Sequence, residues 1–234
     1  MEKEDPVWIC IEGIIGAGKS TFIDRIVPIL KEHFGGEDTV LVVPEPVDIW
    51  LKTGHLEKVG DEPYVAQTFF FHTRIVEMLS RLNTQKGKKA RIIISERSPM
   101  SDRWVFWETS CRNNIPTELA QRTYPLLWET WISLLNNMTP SLFVYLKLDV
   151  DTSQQRMKQR NRECEQSTVT NKYQTQLEQA HEDLFKNDTV VLHNGKKIPC
   201  VQMSSRDDFK NSSEVATTLA ERLIEHINTI TSTK

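Results

Sequence analysis

The chain reads as an α/β fold, a five-stranded parallel sheet with helices on both faces. Three observations predict it. Short runs rich in Val, Ile and Leu recur without the alternation of a half-exposed strand, so both faces of each are expected to be buried. Segments with helical spacing of apolar residues separate these runs, which implies crossovers between parallel strands. The 234 residues suffice for one well-packed domain, and no repeat or low-complexity linker divides them. Residues 1–234 are therefore expected to form a single domain.

In chain order, the first strand is Val7–Ile11, an apolar run that ends in a glycine-rich loop. Phe22, Ile26, Ile29 and Leu30 then recur with helical spacing, predicting a helix over 19–34. The second strand, Val40–Pro44, stops at a proline and a charge. A long helix with many apolar residues is expected over 63–84. The third strand, Arg91–Ser95, contains Ile92-Ile93-Ile94 and stops abruptly at Glu96-Arg97. A second long helix is expected over 117–137. Leu142–Leu148 is the fourth strand, followed by helices over 151–161 and 171–187. Asn194-Gly195 carries the chemistry of a tight hairpin turn before the last strand, Ile198–Met203. A helix over 212–230 closes the chain. Residues 86–89, Lys-Gly-Lys-Lys, read as a solvated loop.

Composition narrows the function. The net charge of -3 argues against a nucleic-acid partner. No apolar run reaches membrane-spanning length. The acidic N-terminus resembles neither a secretory signal nor an Arg-rich transit peptide. Cys10, Cys111, Cys164 and Cys200 have no metal-ligand spacing, and Cys10 and Cys200 fall in expected strands as core residues. A reducing, cytoplasmic compartment is the expectation.

In sheets of this kind, ligands sit beyond the carboxyl ends of the strands. Residues 13–20 read Gly-Ile-Ile-Gly-Ala-Gly-Lys-Ser and follow the first strand, which is the arrangement of a phosphate-binding P-loop. Gly13, Gly16, Ala17 and Gly18 would turn backbone N–H groups onto phosphate. The helix starting at Ser20 and Thr21 adds its positive end. Lys19 supplies a mobile charge, and the Ser20 hydroxyl suits Mg²⁺. A nucleoside triphosphate donor such as ATP, with Mg²⁺, is the implied ligand. After the second strand, Glu45 is placed to position an acceptor hydroxyl and take its proton. Trp50 is a candidate pocket wall. After the third strand, Glu96 is a candidate for Mg²⁺, and Arg97 for the charge of a transferring phosphoryl group. Gln67, Phe71 and Arg74 share a helical face by i, i+4, i+7 spacing. A glutamine amide offers the paired donor and acceptor that a nucleobase edge needs. Arg156 and Arg160 lie one helical turn apart, a repulsion of about 0.2–0.5 kcal/mol unless an anion sits between them. Arg162 adds to this basic cluster.

The P-loop, Glu45-Pro46-x-x-x-Trp50, Glu96-Arg97-Ser98 and Ser101-Asp102-Arg103, in this order and spacing, resemble the deoxyribonucleoside kinases from about Trp8 to Lys210. The resemblance implies a P-loop kinase fold with an arginine-rich lid at about 156–166, and a homodimer. It implies transfer of a γ-phosphate to the 5′-hydroxyl of a small-molecule deoxynucleoside, with Glu45 as general base. It places Gln67, Arg74, Asp102 and Phe106 at the base, Glu165 at the sugar 3′-hydroxyl, and Asp208 and Phe209 at the donor base. Family members selective for thymidine carry apolar residues where this chain has Arg74 and Asp102, so purine deoxynucleosides or deoxycytidine are the expected acceptors. The stretch Lys52–Glu62 is shorter than in relatives of that branch, and Tyr64 lies out of register with their second sugar contact. Three other readings compete, one of them a catalytically dead nucleotide-binding scaffold, which would normally have lost Lys19, Glu45 or Arg97, all present here. A nucleoside monophosphate kinase would want extra cations where Glu45 lies. A guanine-reading switch would need Asn-Lys-x-Asp, whereas Asn171-Lys172 is followed by Tyr173-Gln174.

Overall fold

A computed structural model describes residues 5–135, 139–162, 168–206, 209 and 211–232. Strand β1 (Val7–Glu12) forms the centre of a sheet with β2 (Val40–Val43), β3 (Ile92–Glu96), β4 (Leu142–Lys147), β5 (Thr189–Val191) and β6 (Lys197–Ser204). Their order is β2-β3-β1-β4-β6-β5. All neighbours are parallel except β5 and β6, which pair antiparallel. The sheet thus has six strands where five were expected. The sixth, β5, has only Val190 buried, too short an apolar signal to register in the sequence. The five parallel strands coincide with the expected ones to within a residue or two.

The parallel strands are apolar throughout because helices cover both faces. Ile9, Ile11, Ile94, Leu142 and Val144 point to one face, against Phe22 and Ile26 of α1 (Lys19–Phe34) and Leu223 and Ile227 of the C-terminal helix (Ser213–Ser232). Trp8, Cys10, Ile93, Phe143 and Tyr145 point to the other. There they meet Phe71 and Ile75 of a helix over Pro63–Leu82, and Tyr124 and Trp128 of another over Glu118–Leu134. Side-chain caps start three later helices where polar residues precede them. Thr117 accepts from the Ala120 N–H at 3.2 Å, Asp149 from Thr152 at 2.9 Å, and Thr170 from Tyr173 at 3.2 Å.

Four helical regions among the described residues were not expected, one of them a 3₁₀ turn at His55–Lys58. Val47–Lys52 forms a short helix after β2. Gln85–Lys89 is a helical turn, not a loop, because Thr84 caps it by accepting from the Gly87 N–H. Residues after β3 run through helical turns at Pro99–Ser101 and Glu108–Arg112 with a π-helical turn, Asp102–Trp107, between them. The wider π turn brings Asp102 and Phe106 toward the same cavity.

The core makes a direct prediction. Ile9 is fully buried in the central strand between Ile94 and Leu142. Ile9→Ala should lower the unfolding free energy by about 2–5 kcal/mol in urea denaturation, with an unchanged denaturant slope.

Candidate active site

The phosphate loop is built from the end of β1. Gly13 has φ +149° and Gly16 φ +81°; a Cβ at these positions would lie 2.8 Å from the Leu146 carbonyl oxygen and 2.9 Å from that of Ser153. Only glycine fits either place. The loop's carbonyls are tied back to later parts of the chain. The Ile15 oxygen accepts from the Ser153 hydroxyl at 2.6 Å and from Gln174 Nε2 at 2.8 Å. The Ala17 oxygen accepts from the Ser205 hydroxyl. Arg156 in turn donates to the Ser205 carbonyl at 2.7 Å and to its hydroxyl oxygen at 3.1 Å. A trans peptide directs its N–H opposite to its C=O, so these ties leave the Gly16 and Gly18 amide hydrogens to an anion on the other side, whereas the Ala17 N–H, expected on phosphate, instead donates to the Ile14 carbonyl at 3.1 Å. Gly18 precedes α1 and offers no side-chain oxygen to its first N–H groups, those of Lys19, Ser20 and Thr21. Lys19 Nζ donates to the Gly13 and Ile14 carbonyls at 3.4 and 3.2 Å. Burial, then repulsion from Arg97, brings its ammonium down to about 8.

Beside this loop, two buried guanidinium groups converge on Glu45 at the end of β2. Arg74 Nη2 lies 2.9 Å and Arg97 Nε 3.3 Å from Glu45 Oε1. Arg74 also grips Asp102 with two bonds, Nε to Oδ2 at 2.8 Å and Nη2 to Oδ1 at 3.1 Å, and donates to the Glu96 carbonyl. Burial alone would raise the Glu45 carboxyl, but Arg97, Arg74 and Lys19 together hold it below its ordinary value. Arg97 itself is 3% exposed, and its guanidinium lies 4.7 Å over the Phe106 ring. Ser20 donates to both oxygens of Glu96, at 3.2 and 3.0 Å.

These groups face a cavity of about 850 Å³ that also admits Gln67, Trp50, Phe69, Phe70, Arg160 and Arg162. Gln67 is buried, and its Oε1 has no hydrogen-bond partner among the described residues. Trp50 is held by donation from Nε1 to the Thr73 hydroxyl at 2.7 Å and by a 4.4 Å contact with the Phe70 ring. Phe71 does not line the cavity. It is fully buried against Trp128, at 6.5 Å between rings, because its side of the helix faces the sheet. The sequence's helical stripe had grouped it with Gln67 and Arg74, but it is Phe69 and Phe70 that line the cavity. Tyr64 packs edge-on to Trp107 and is likewise outside the cavity lining.

Of the lid and donor residues, Arg160 and Arg162 line the cavity, while Arg156 is docked on Ser205 behind the loop. Phe209 is buried edge-on against Phe22, at 5.7 Å, beside Gly18. Glu165 and Asp208 lie outside the described residues. Among those described, no cluster of three or more His, Cys, Asp or Glu residues could hold a metal. The Ser20 and Glu96 oxygens nevertheless fit Mg²⁺, which takes one or two protein oxygens and completes its shell with phosphate and water.

Two fully buried groups that face Arg97 behind the cavity escaped the sequence reading. Glu12 is fully buried at the end of β1. Its Oε1 accepts from Ser98 at 2.6 Å, and its Oε2 has no hydrogen bond among the described residues but forms a long ion pair with Arg97 Nη1 at 4.0 Å. An acid ending an apolar strand was the available signal. His181 is also fully buried, with Nε2 3.4 Å from Arg97 Nη1. A lone histidine among Leu177, Ala180 and Phe185 was a weaker signal.

The chain is similar to known proteins over nearly its whole length. The family model "Deoxynucleoside kinase" matches residues 9–230. The chain is 29% identical to the deoxycytidine kinase of Homo sapiens, an alignment covering 95% of this chain and 91% of that protein. It is 26% identical to deoxycytidine kinase 1 of Xenopus laevis, over 95% and 91% of the two chains. Identity to the mitochondrial thymidine kinase 2 of Homo sapiens is 28%, over 78% and 65%.

Glu12 gives the site a pH signature. Burial pushes its carboxyl from 4.5 up to about 7, against the pull of Arg97 and Ser98. Between those values the folded state holds a proton that the unfolded chain has released, so this group makes stability fall as pH rises through the window. Glu12→Gln keeps its hydrogen at every pH. Thermal unfolding at about pH 5 and about pH 8 should show a smaller pH-dependent loss in the variant than in the wild type.

Proposed function

The chain belongs to the deoxynucleoside kinase family, and from that premise we propose that it moves the γ-phosphate of ATP, or another nucleoside triphosphate, to the 5′-hydroxyl of a deoxynucleoside. The phosphotransferase class follows from the family. The observation that carries the residue-level reading is Glu45, held between Arg74 and Arg97 at the junction of the cavity and the phosphate loop.

In this reading the nucleoside's base lies between Gln67, Trp50, Phe70 and Phe106, with the unpartnered Gln67 oxygen facing the base edge. The 5′-hydroxyl lies against Glu45, which orients it and accepts its proton. Lys19 and the amide hydrogens of Gly16, Gly18 and the first turn of α1 hold the donor phosphates, with Arg160 and Arg162 above them. Arg97 faces the phosphoryl group in transfer, where charge spreads over its oxygens. Ser20 and Glu96 would hold Mg²⁺, which neutralises phosphate charge when bound. Because there is little covalent chemistry for the protein to do, positioning and electrostatics carry the rate.

The Arg74–Asp102 pair supports a base preference. Both groups are buried and joined by two hydrogen bonds. Donors and acceptors fixed beside the base suit the ring nitrogen and exocyclic group of a purine, or the amino edge of cytosine. Thymine offers no amino group there. We therefore place purine deoxynucleosides and deoxycytidine ahead of thymidine, in a salvage role. The three cysteines among the described residues that are free thiols, Cys10, Cys111 and Cys200, suit a reducing compartment such as the cytoplasm. No helix among the described residues is long and apolar enough to cross a membrane. Val65 and Val76 on one long helix and Leu119, Leu126 and Leu134 on the other are exposed, and support pairing with a second copy.

A turnover panel tests the proposal. With Mg-ATP, deoxycytidine, deoxyguanosine and deoxyadenosine should be phosphorylated and thymidine should lag. Turnover of monophosphates alone would overturn it. Glu45→Gln should lower kcat by about 10²–10⁴ in the same assay, the range of a general base. Sedimentation should give twice the chain mass, and Leu126→Glu should shift it to the monomer.

A further inference from the structure

Arg97 is held in a way that the proposed chemistry must partly undo. Its backbone has φ +66°, a left-handed conformation uncommon for a residue with a side chain. Its guanidinium is anchored at two ends. Nε faces Glu45 Oε1 at 3.3 Å, and Nη1 faces His181 Nε2 at 3.4 Å, with Glu12 Oε2 farther off at 4.0 Å from the same nitrogen. The Phe106 ring covers one face. Once Glu45 takes a proton from the substrate hydroxyl, it becomes neutral and its pull on Nε weakens. The His181 contact is untouched by that transfer.

The histidine's state follows from its surroundings. Nδ1 lies 2.7 Å from the Leu177 carbonyl oxygen, which only accepts, so Nδ1 carries the hydrogen. Burial, with the charge of Arg97 beside it, keeps the ring neutral. Nε2 therefore presents a lone pair to Arg97. Tyr145 stacks on the ring at 5.9 Å, Phe185 lies at 6.1 Å, and Phe106 meets it edge-on at 6.4 Å. A phenyl group would pack in that aromatic cage. What it would lack is the acceptor.

Resting on the function proposed above, we infer that His181 is a positioning residue. Its Nε2 holds Arg97 toward the transferring phosphoryl group while Glu45 is engaged with the acceptor hydroxyl. The contact matters most after Glu45 has begun to take the proton, so its loss falls on kcat more than on the KM for nucleoside.

Three replacements separate this role from packing. His181→Phe keeps the ring and loses the acceptor. His181→Gln places an amide oxygen near the former Nε2. His181→Asn is too short to reach Arg97. Steady-state kinetics of the full chain with Mg-ATP and a deoxynucleoside should show His181→Phe and His181→Asn about 10–100-fold down in kcat, with His181→Gln recovering most of the loss. In an Arg97→Ala background, His181→Phe should cost nothing further. If His181→Phe retains wild-type kcat while His181→Gln loses it, the histidine acts by packing and the inference falls. It falls equally if His181→Gln and His181→Asn turn over alike, a comparison that holds even where His181→Phe fails to fold. The same loss in the Arg97→Ala background would also overturn it. Wild-type turnover of the deoxynucleoside is read separately, because its absence would sink the proposed function, whereas the ranking of variants tests His181 alone.

Discussion

Glu45 receives two buried guanidinium groups, and the rest of the site is arranged around that convergence. Removing a charge from water costs several kcal/mol unless partners replace the lost hydration. Arg74 and Arg97 bring two positive charges, and Glu45 and Asp102 answer them directly. The four side chains come from four places: the end of β2, the end of β3, the helix Pro63–Leu82 and the π-helical turn. Their balance therefore depends on sheet register. Val43 aligns with Ser95, and Ile11 with Glu96, so the phosphate loop, Glu45 and Arg97 emerge at one level of the sheet. A single-residue slip would separate the charges as well as turn the strands' side chains over.

The fold was legible where burial is two-sided. A strand covered on both faces leaves a continuous apolar run, and β1, β3 and β4 do so. Legibility failed where stabilisation is local or tertiary. Thr189–Val191 exists because a hairpin turn delivers it to β6, and its own side chains say little. The π turn depends on how residues 102–107 fit between the sheet and neighbouring helices, which no periodicity encodes.

The site divides along the same line. Lys19, Glu45, Glu96 and Arg97 could be placed because the ends of parallel strands open on a common crevice. Gln67 and Arg74 could be grouped by helical spacing. That spacing also swept in Phe71, because it identifies a stripe without saying which neighbour covers each part of it. His181 and Glu12 take their meaning from contacts 84 and 86 residues away, so the local sequence offered only an acid at the end of an apolar strand and a histidine among apolar neighbours.

The ties that hold the phosphate loop have a consequence for how the protein comes to be. Ser153, Gln174 and Ser205 grip loop carbonyls from 138, 159 and 188 residues further along the chain. Contacts of such separation close large loops and form late, after local structure. During synthesis the glycine-rich motif appears well before Ser153, Gln174 and Ser205, yet its finished shape waits for those residues to dock. The nucleotide cradle is therefore a report on completed folding. A chain stalled near its midpoint carries the motif without the side chains that give the motif its form.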